Sequence, residues 1–278
     1  MTSPLRPSAR RLGRAYDDGA TAYRRWWGPV IAPAALAALD HVGELAELDA
    51  PRILDVGTGA GVLAVDALRR WPRARVIGVD PSRGMLDLAA AAAEQAGVAD
   101  RLDLVVGDAL ALPLADRSVD AVVSSFVIQL TGSRRGTLRE AVRVLRPGGR
   151  LAVVTWQAAD EPFPPADALD EALDEVGAPA SAASTPPRPW PSPGVARREL
   201  RAAGLVDVVA TTGLVERAFS REEYLAMAEH WIVDDVFARM DAEQRQRTRD
   251  AARRRLARVP AADFTWRAPT VLASGRAP

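Results

Sequence analysis

Two rhythms of apolar and polar positions alternate along the middle of the chain. Ile53, Leu54 and Val56 form a short, partly β-branched run between Arg52 and a glycine turn, the pattern of a buried parallel strand. Residues from about 60 to 70 then repeat at helical period, with Pro72 as a stop. The alternation recurs as a strand at 75–80 and a helix at 83–96, with Ser82 as its N-cap and Gly97 at its end. Strands at 102–106 and 119–125 follow, then a helix at 134–146 and a strand at 151–156. Strands separated by helices predict an α/β fold with helices on both faces of a mostly parallel sheet.

The flanks read differently. Residues 1–14 are rich in Pro and Arg and are expected to be irregular. Tyr16 to Leu48 reads as helix, broken by Pro29 and Pro33. Residues 158–194 are dense in Ala, Pro and acids and suggest a loop or cap on one face. A helix is expected at 195–203, a strand from Gly204 to Val209, and a helix capped by Ser220 running to about Trp231. The Arg-rich stretch 239–258 reads as a solvated helix, and 264–274 as a last strand.

Composition narrows the chemistry. The 278 residues carry 36 basic and 36 acidic side chains, so no net field favours nucleic acid or a membrane surface. With no Cys there is no disulfide, thiolate metal site or Cys nucleophile, and no metal is expected. Every basic residue is Arg, which excludes Schiff-base lysines and a P-loop lysine. The Arg and Ala excess suggests a GC-rich, bacterial genome. The longest apolar run, Val30 to Leu39, contains Pro33 and is too short to span a bilayer. Arg10-Arg11 is not followed by an apolar h-region, so a cytoplasmic protein is expected.

The glycine turn Gly57-Thr58-Gly59-Ala60-Gly61 brings a helix N-terminus to the end of the first strand, where a ligand can lie against bare backbone. Val62 stands where a dinucleotide fingerprint has its last glycine. Asp55 would repel a pyrophosphate but can hold an ammonium or order the loop. Asp80 and Asp108 end the next two strands, and Ser124 and Ser125 the fourth, at the edge where such sheets bind ligands. Asp80 can accept both hydroxyls of a ribose; a surface carboxylate is the plain alternative. The cluster Tyr23-Arg24-Arg25-Trp26-Trp27 is either packing against the sheet or a lid over a pocket. Of the two histidines, His41 reads as structural, and His230 beside Trp231 is the candidate base.

Several stretches together resemble class I S-adenosylmethionine-dependent methyltransferases of the UbiE/type 11 group. They are Ile53 to Gly61, Gly78-Val79-Asp80-Pro81-Ser82, Gly107-Asp108-Ala109 with Leu112-Pro113-Leu114, Val119 to Ser125, and Leu138-Arg139-Glu140 with Arg143 to Gly149. The resemblance runs from Tyr16 to about Gly213. It implies a doubly wound, mostly parallel seven-stranded Rossmann-like sheet with N-terminal lid helices and a helical cap inserted after strand five. It divides the chain into an arm and lid at 1–50, a cofactor-binding core at 51–157, a cap at 158–204, and C-terminal strands at 205–278 with a helical insert at 220–258. All four belong to one structural domain.

The same resemblance implies that Asp55, Gly57, Thr58, Gly59 and Gly61 hold the methionine moiety of S-adenosyl-L-methionine. Asp80 with Pro81 would take the ribose, Met85 the adenine face, Asp108 and Ala109 the adenine amine, and Ser125 or Phe126 the sulfonium side. Tyr16, Tyr23, Trp27, Gln129 and Trp231 are candidates for the acceptor pocket. Many relatives carry a His pair where this chain reads Ile128-Gln129-Leu130, and Gln129 cannot act as a base. The expected activity is transfer of a methyl group to a small-molecule acceptor by in-line displacement, leaving S-adenosyl-L-homocysteine. A rearrangement or cyclisation on the same fold, or a non-catalytic cofactor-binding protein, are the alternatives. No nucleic-acid or membrane partner is expected, and the sequence sets no oligomeric state.

Overall fold

The structure, a computed structural model, describes residues 5–43, 45–159, 161–181 and 187–278. Pro186 of the proline-dense cap segment lies outside them. Helix α1 (Pro7–Ala22) opens the chain, followed by a π-helical turn at Tyr23–Trp27 and α2 (Gly28–Leu36). The core then runs β1 (Arg52–Val56), α3 (Val62–Arg70), β2 (Arg75–Asp80), α4 (Arg83–Gln95), β3 (Leu102–Val106), β4 (Val119–Ser125), α5 (Arg134–Val144) and β5 (Leu145–Trp156). After it come α6 (Pro164–Glu175), α7 (Pro193–Ala202), β6 (Val206–Ala218), α8 (Arg221–Met227), a π-helical turn at Ala228–Ile232, α9 (Asp234–Ala238), α10 (Ala242–Leu256) and β7 (Thr265–Arg276).

The seven strands form one sheet in the order β3-β2-β1-β4-β5-β7-β6. β1 to β5 are parallel, and β7 runs antiparallel to both β5 and β6. The two-residue period of each central strand sends neighbours to opposite faces. Ile53, Val76, Ala121 and Ala152 join α2 and α3 in one core; Leu54, Ile77, Val122 and Val153 join α5 and α7 in the other. Strands buried on both faces must be apolar throughout, which is why these runs show no polar alternation. Strand order reverses between β1 and β4, so the crevice at their C-terminal ends is where a ligand is received.

Two expectations for the flanks are corrected. Residues 7–14 are helical, because Pro7 presets the first turn and Ala9, Gly13 and Ala20 bury one face of α1. Pro33 does not break α2 but is carried inside it, while Pro29 sits in its first turn. The segment 158–194 holds α6, as a helical cap after strand five requires. That helix packs through Leu169 and Ala172 on Ala251, Ala252 and Leu256 of α10, so the two insertions make one cap. Trp190 anchors the return to the sheet: it is fully buried and donates from Nε1 to Glu199 (2.9 Å), which also holds Arg134. No helix among the described residues is long and apolar enough to cross a membrane.

Candidate active site

The turn after β1 is held first by backbone. Gly57 and Thr58 both donate to the Val79 carbonyl (2.7 and 3.1 Å), tying β1 to β2. Gly57 and Gly59 have φ of +71° and +52°, a region that side chains rarely adopt. A Cβ on Gly57 would overlap the methyls of Val127, whereas one on Gly59 would project towards the Tyr23 hydroxyl. Bare backbone at Gly59 therefore faces a cavity rather than a packed neighbour.

That cavity, about 630 Å³, spans the strand ends of β1, β2 and β4 and the underside of the cap. Such a volume is ordinary for a small-molecule site. Asp80 is its acidic wall residue, 8 % exposed, with Oδ2 accepting from Gly59 N–H (3.0 Å) and Oδ1 from Ser82 N–H (2.9 Å). Burial drives its pKa up to about 6 against those two bonds, and Asp17 adds to the rise. Asp55 lies behind the loop, 1 % exposed; Oδ2 accepts from Thr58 Oγ1 (2.8 Å), and Oδ1 is buried with no hydrogen-bond partner. Burial, reinforced by Asp80 and opposed by the Thr58 bond and by the Ala64 N–H in the first turn of α3, raises its pKa to about 7. No Arg or His lines the cavity among the described residues. Two buried carboxylates without a basic neighbour on the wall make this end receptive to a cation.

The opposite end is aromatic. Its rings come from five distant parts of the chain, and the two π-helical turns meet across it. Tyr23 and Trp27 of the first approach Trp231 of the second at centroid distances of 5.6 and 6.5 Å. Trp156 at the end of β5 and Trp266 at the start of β7 complete the wall, with Phe126 4.4 Å from Trp156. Widened turns of this kind recur at functional sites, because the inserted residue rotates side chains off the regular helical face. Tyr16 and Tyr23 are pushed up by burial first, Tyr16 to about 12, and so stay neutral donors at physiological pH.

The structure brings Gly57, Gly59, Asp80, Pro81, Met85, Ser125, Phe126, Tyr16, Tyr23, Trp27, Gln129 and Trp231 to this cavity. Asp55, Thr58 and Gly61 lie behind it, Gly61 pressed against Ala89. Asp108 and Ala109 line an adjoining space of about 50 Å³ beneath Ser8, Ala9 and Leu12 of α1. Asp108 there faces Arg6 (3.4 Å) and accepts from Leu110 N–H (2.9 Å). This space has room for about two waters, so a ring system bound beside Asp108 requires α1 to move. His230 is not on the cavity wall: it is exposed and lies parallel over Trp26 at 6.3 Å. Gln129 is internally committed, with Nε2 donating to the Phe126 carbonyl (2.7 Å) and Oε1 accepting from Thr155.

Sequence reasoning missed Trp156, Trp266, Phe163, Phe219 and Tyr224 on the wall. Topology was the available signal for two of them. A parallel strand ends, and an antiparallel strand begins, at the same sheet edge, which places Trp156 and Trp266 beside each other.

Residues 53–149 match the family model of a methyltransferase domain. The ubiquinone/menaquinone biosynthesis C-methyltransferase UbiE of Dinoroseobacter shibae is 42 % identical over 118 residues, 42 % of this chain and 47 % of that protein. The malonyl-[acyl-carrier protein] O-methyltransferase of Methylococcus capsulatus is 38 % identical over 142 residues, 51 % and 48 % of the two chains. The chain thus spans about half the length of the curated relatives it matches. Among solved structures, the [4+2]-cyclase SpnF aligns over 100 % of this chain and 99 % of its own, with TM-score 0.62 at 20 % identity. Haemonchus contortus phosphoethanolamine N-methyltransferase 2, solved with phosphomonomethylethanolamine and S-adenosylhomocysteine, aligns over 99 % and 61 %, with TM-score 0.59 at 19 % identity. The sheet that contains residues 53–149 has the class I methyltransferase fold.

Proposed function

We propose that the protein transfers the methyl group of S-adenosyl-L-methionine to a small-molecule acceptor held in the aromatic end of the cavity. One observation carries the reading: a bare-backbone turn, the buried Asp80 carboxylate and an aromatic chamber open into the same space, with the buried Asp55 carboxylate behind the turn. The orphaned Oδ1 of Asp55, the open face of Gly59 and the strand-end carboxylate of Asp80 suit a ligand with an ammonium, a sulfonium and a ribose diol. Residues 53–149, which match the methyltransferase family, contain all three.

In this assignment the Gly57–Gly61 backbone and Asp55 hold the amino-acid end, and Asp80 with Pro81 the ribose. Met85, Asp108 and Ala109 hold the adenine once α1 has shifted. The bound compound supplies a methyl group already activated by its positive sulfur. The chain's contribution is to align the acceptor with that methyl and to exclude water, which requires no particular catalytic side chain. No histidine reaches the cavity wall, so His230 is not assigned as the base. A rearrangement or cyclisation in the same chamber is the second reading, favoured by this lack of a general base.

We assign residues 1–50 to arm and lid, 51–157 to the cofactor core, and 158–204 with 220–258 to the cap. The bacterial sources of the relatives support a bacterial, cytoplasmic setting, where this cofactor is made. The test is incubation of the protein with methyl-labelled cofactor and a panel of small acceptors, followed by product analysis. Label recovered in an acceptor is expected. Cofactor uptake with label left on the sulfonium and an isomerised acceptor would move the assignment to the second reading.

A further inference from the structure

Which acceptor the chamber takes is written in its charge and shape. Its wall holds no Arg or His, and the amide of Gln129 is spent on Phe126 and Thr155. A phosphate or carboxylate on the acceptor would enter with no cation to meet it, and an unpaired buried anion is strongly disfavoured. A permanently cationic acceptor meets the opposite difficulty, since it would lie beside the sulfonium within one enclosed cavity. The Asp55 and Asp80 carboxylates that could offset it are at the other end, behind and beside the glycine turn.

Shape adds a second constraint. Trp27, Trp156 and Trp266 form a mutually touching trio with centroids 5.6 to 6.0 Å apart, and Phe126 abuts Trp156. Phe126 sits at φ +55°, a conformation a bulky side chain rarely adopts, fixed by its N–H bond to the Val154 carbonyl (2.8 Å). Backbone strain at a cavity wall marks a ring held where ordinary packing would not leave it.

From these observations, and resting on the cofactor reading above, we infer that the acceptor is a flat, apolar ring compound that binds uncharged. The Trp27–Trp156–Trp266 trio and Phe126 are its contact surface. Its reacting atom brings its own lone pair. Any proton it carries passes to bulk solvent after methyl transfer has made it acidic, because the aromatic end offers neutral tyrosine hydroxyls and the wall carboxylate Asp80 is taken by Gly59 and Ser82 N–H at the cofactor end.

Matched indole probes test this by calorimetry on the full chain with S-adenosylhomocysteine present. Tryptophol is neutral, indole-3-acetate anionic and tryptamine cationic, and 2-cyclohexylethanol replaces the flat ring by a puckered one. Tryptophol is expected to saturate, with indole-3-acetate at least about 30-fold weaker and tryptamine and 2-cyclohexylethanol at least about 10-fold weaker. Trp156→Leu should weaken tryptophol about 10-fold and leave S-adenosylhomocysteine within about twofold; Trp266→Leu serves if that variant misfolds. Indole-3-acetate or tryptamine binding as tightly as tryptophol would overturn the inference, as would absent tryptophol binding in protein that still takes up S-adenosylhomocysteine. Failure of S-adenosylhomocysteine itself to bind would instead overturn the cofactor reading.

Discussion

Lowering the pH from 8 to 5.5 should weaken S-adenosylmethionine binding far more than adenosine binding. The structure sets the magnitude. Asp80 titrates at about 6 and Asp55 at about 7, both raised by burial. At pH 5.5 Asp80 is ionised about a quarter of the time and Asp55 about 3 % of the time; at pH 8 both are at least about 90 % ionised. If only the ribose contact of ionised Asp80 counts, affinity falls about fourfold. If both carboxylates must be charged, it falls about 100-fold, or about 3 kcal/mol. Adenosine shares the ribose and base but carries no positive charge, so its affinity should fall by no more than the fourfold that Asp80 sets.

Calorimetry at pH 6.5 gives a second readout. A bound cation drives both carboxylates to ionise, releasing about one proton per site when their unliganded protonation is added together. Titrations in buffers of different ionisation enthalpy count that proton. S-adenosylmethionine should release it, and adenosine, which meets only Asp80, should release about a quarter of a proton. Affinity independent of pH, with no proton exchanged, would show that the two carboxylates do not serve a cation and would refute the electrostatic reasoning.

Four further outcomes follow from the geometry. Asp55→Asn keeps an acceptor for Thr58 and cannot ionise; because the folded-state pKa of Asp55 lies above its unfolded value, the native protein loses stability as pH rises from about 4 to 7. Denaturant melts of the variant should therefore gain on the parent by up to about 4 kcal/mol across that window. Gly57→Ala and Gly97→Ala share a positive φ, but only the first meets side-chain atoms, so melts should show about 1 kcal/mol lost at Gly97 and at least about 3 at Gly57. Asp17 accepts from Ser82 Oγ (2.6 Å) and Gly84 N–H (2.8 Å), docking α1 on α4; Asp17→Ala should speed proteolysis within α1 and stopped-flow uptake of S-adenosylhomocysteine about fivefold. Trp190→Ala should cost about 3–5 kcal/mol in thermal melts and Trp190→Phe about 1–2, since the latter removes only the bond to Glu199.

The central sheet was legible because its signals are local. β1, β2 and β3 fall where short apolar runs end at glycine or aspartate, β4 where one ends at serine, and Ser82 and Ser220 cap their helices as the sequence suggests. The chamber was less legible, because its walls depend on register and on distortions that no period predicts. The Tyr23–Trp27 segment reads as ordinary helix, yet its π-helical turn decides which rings face Trp231. His230 illustrates the same limit. Beside Trp231 in sequence, it shares the second π-helical turn, which sends the indole to the cavity and the imidazole out over Trp26. The N-terminal arm misled through composition, since Pro and Arg suggested disorder while the buried spacing of Ala9, Gly13 and Ala20 makes a helix face.

The two ends of the cavity come from different parts of the chain, and that separation has a consequence. Gly57, Gly59, Asp80, Met85 and Ser125 all lie between residues 52 and 126, on strand ends locked by backbone pairing. Apart from Phe126, the rings of the chamber come from residues 16–27, 156–163, 219–231 and 266, on helical turns, insertions and strand termini outside that block. Changes on the cap can therefore reshape the chamber without moving the glycine turn or its carboxylates. Phe126 is the exception, being joined to the Ser125 end of β4 and in contact with Trp156 of the chamber. Its left-handed backbone is the hinge between the two halves, so substitutions there should disturb cofactor and acceptor binding together, whereas those at Trp266 should disturb acceptor binding alone.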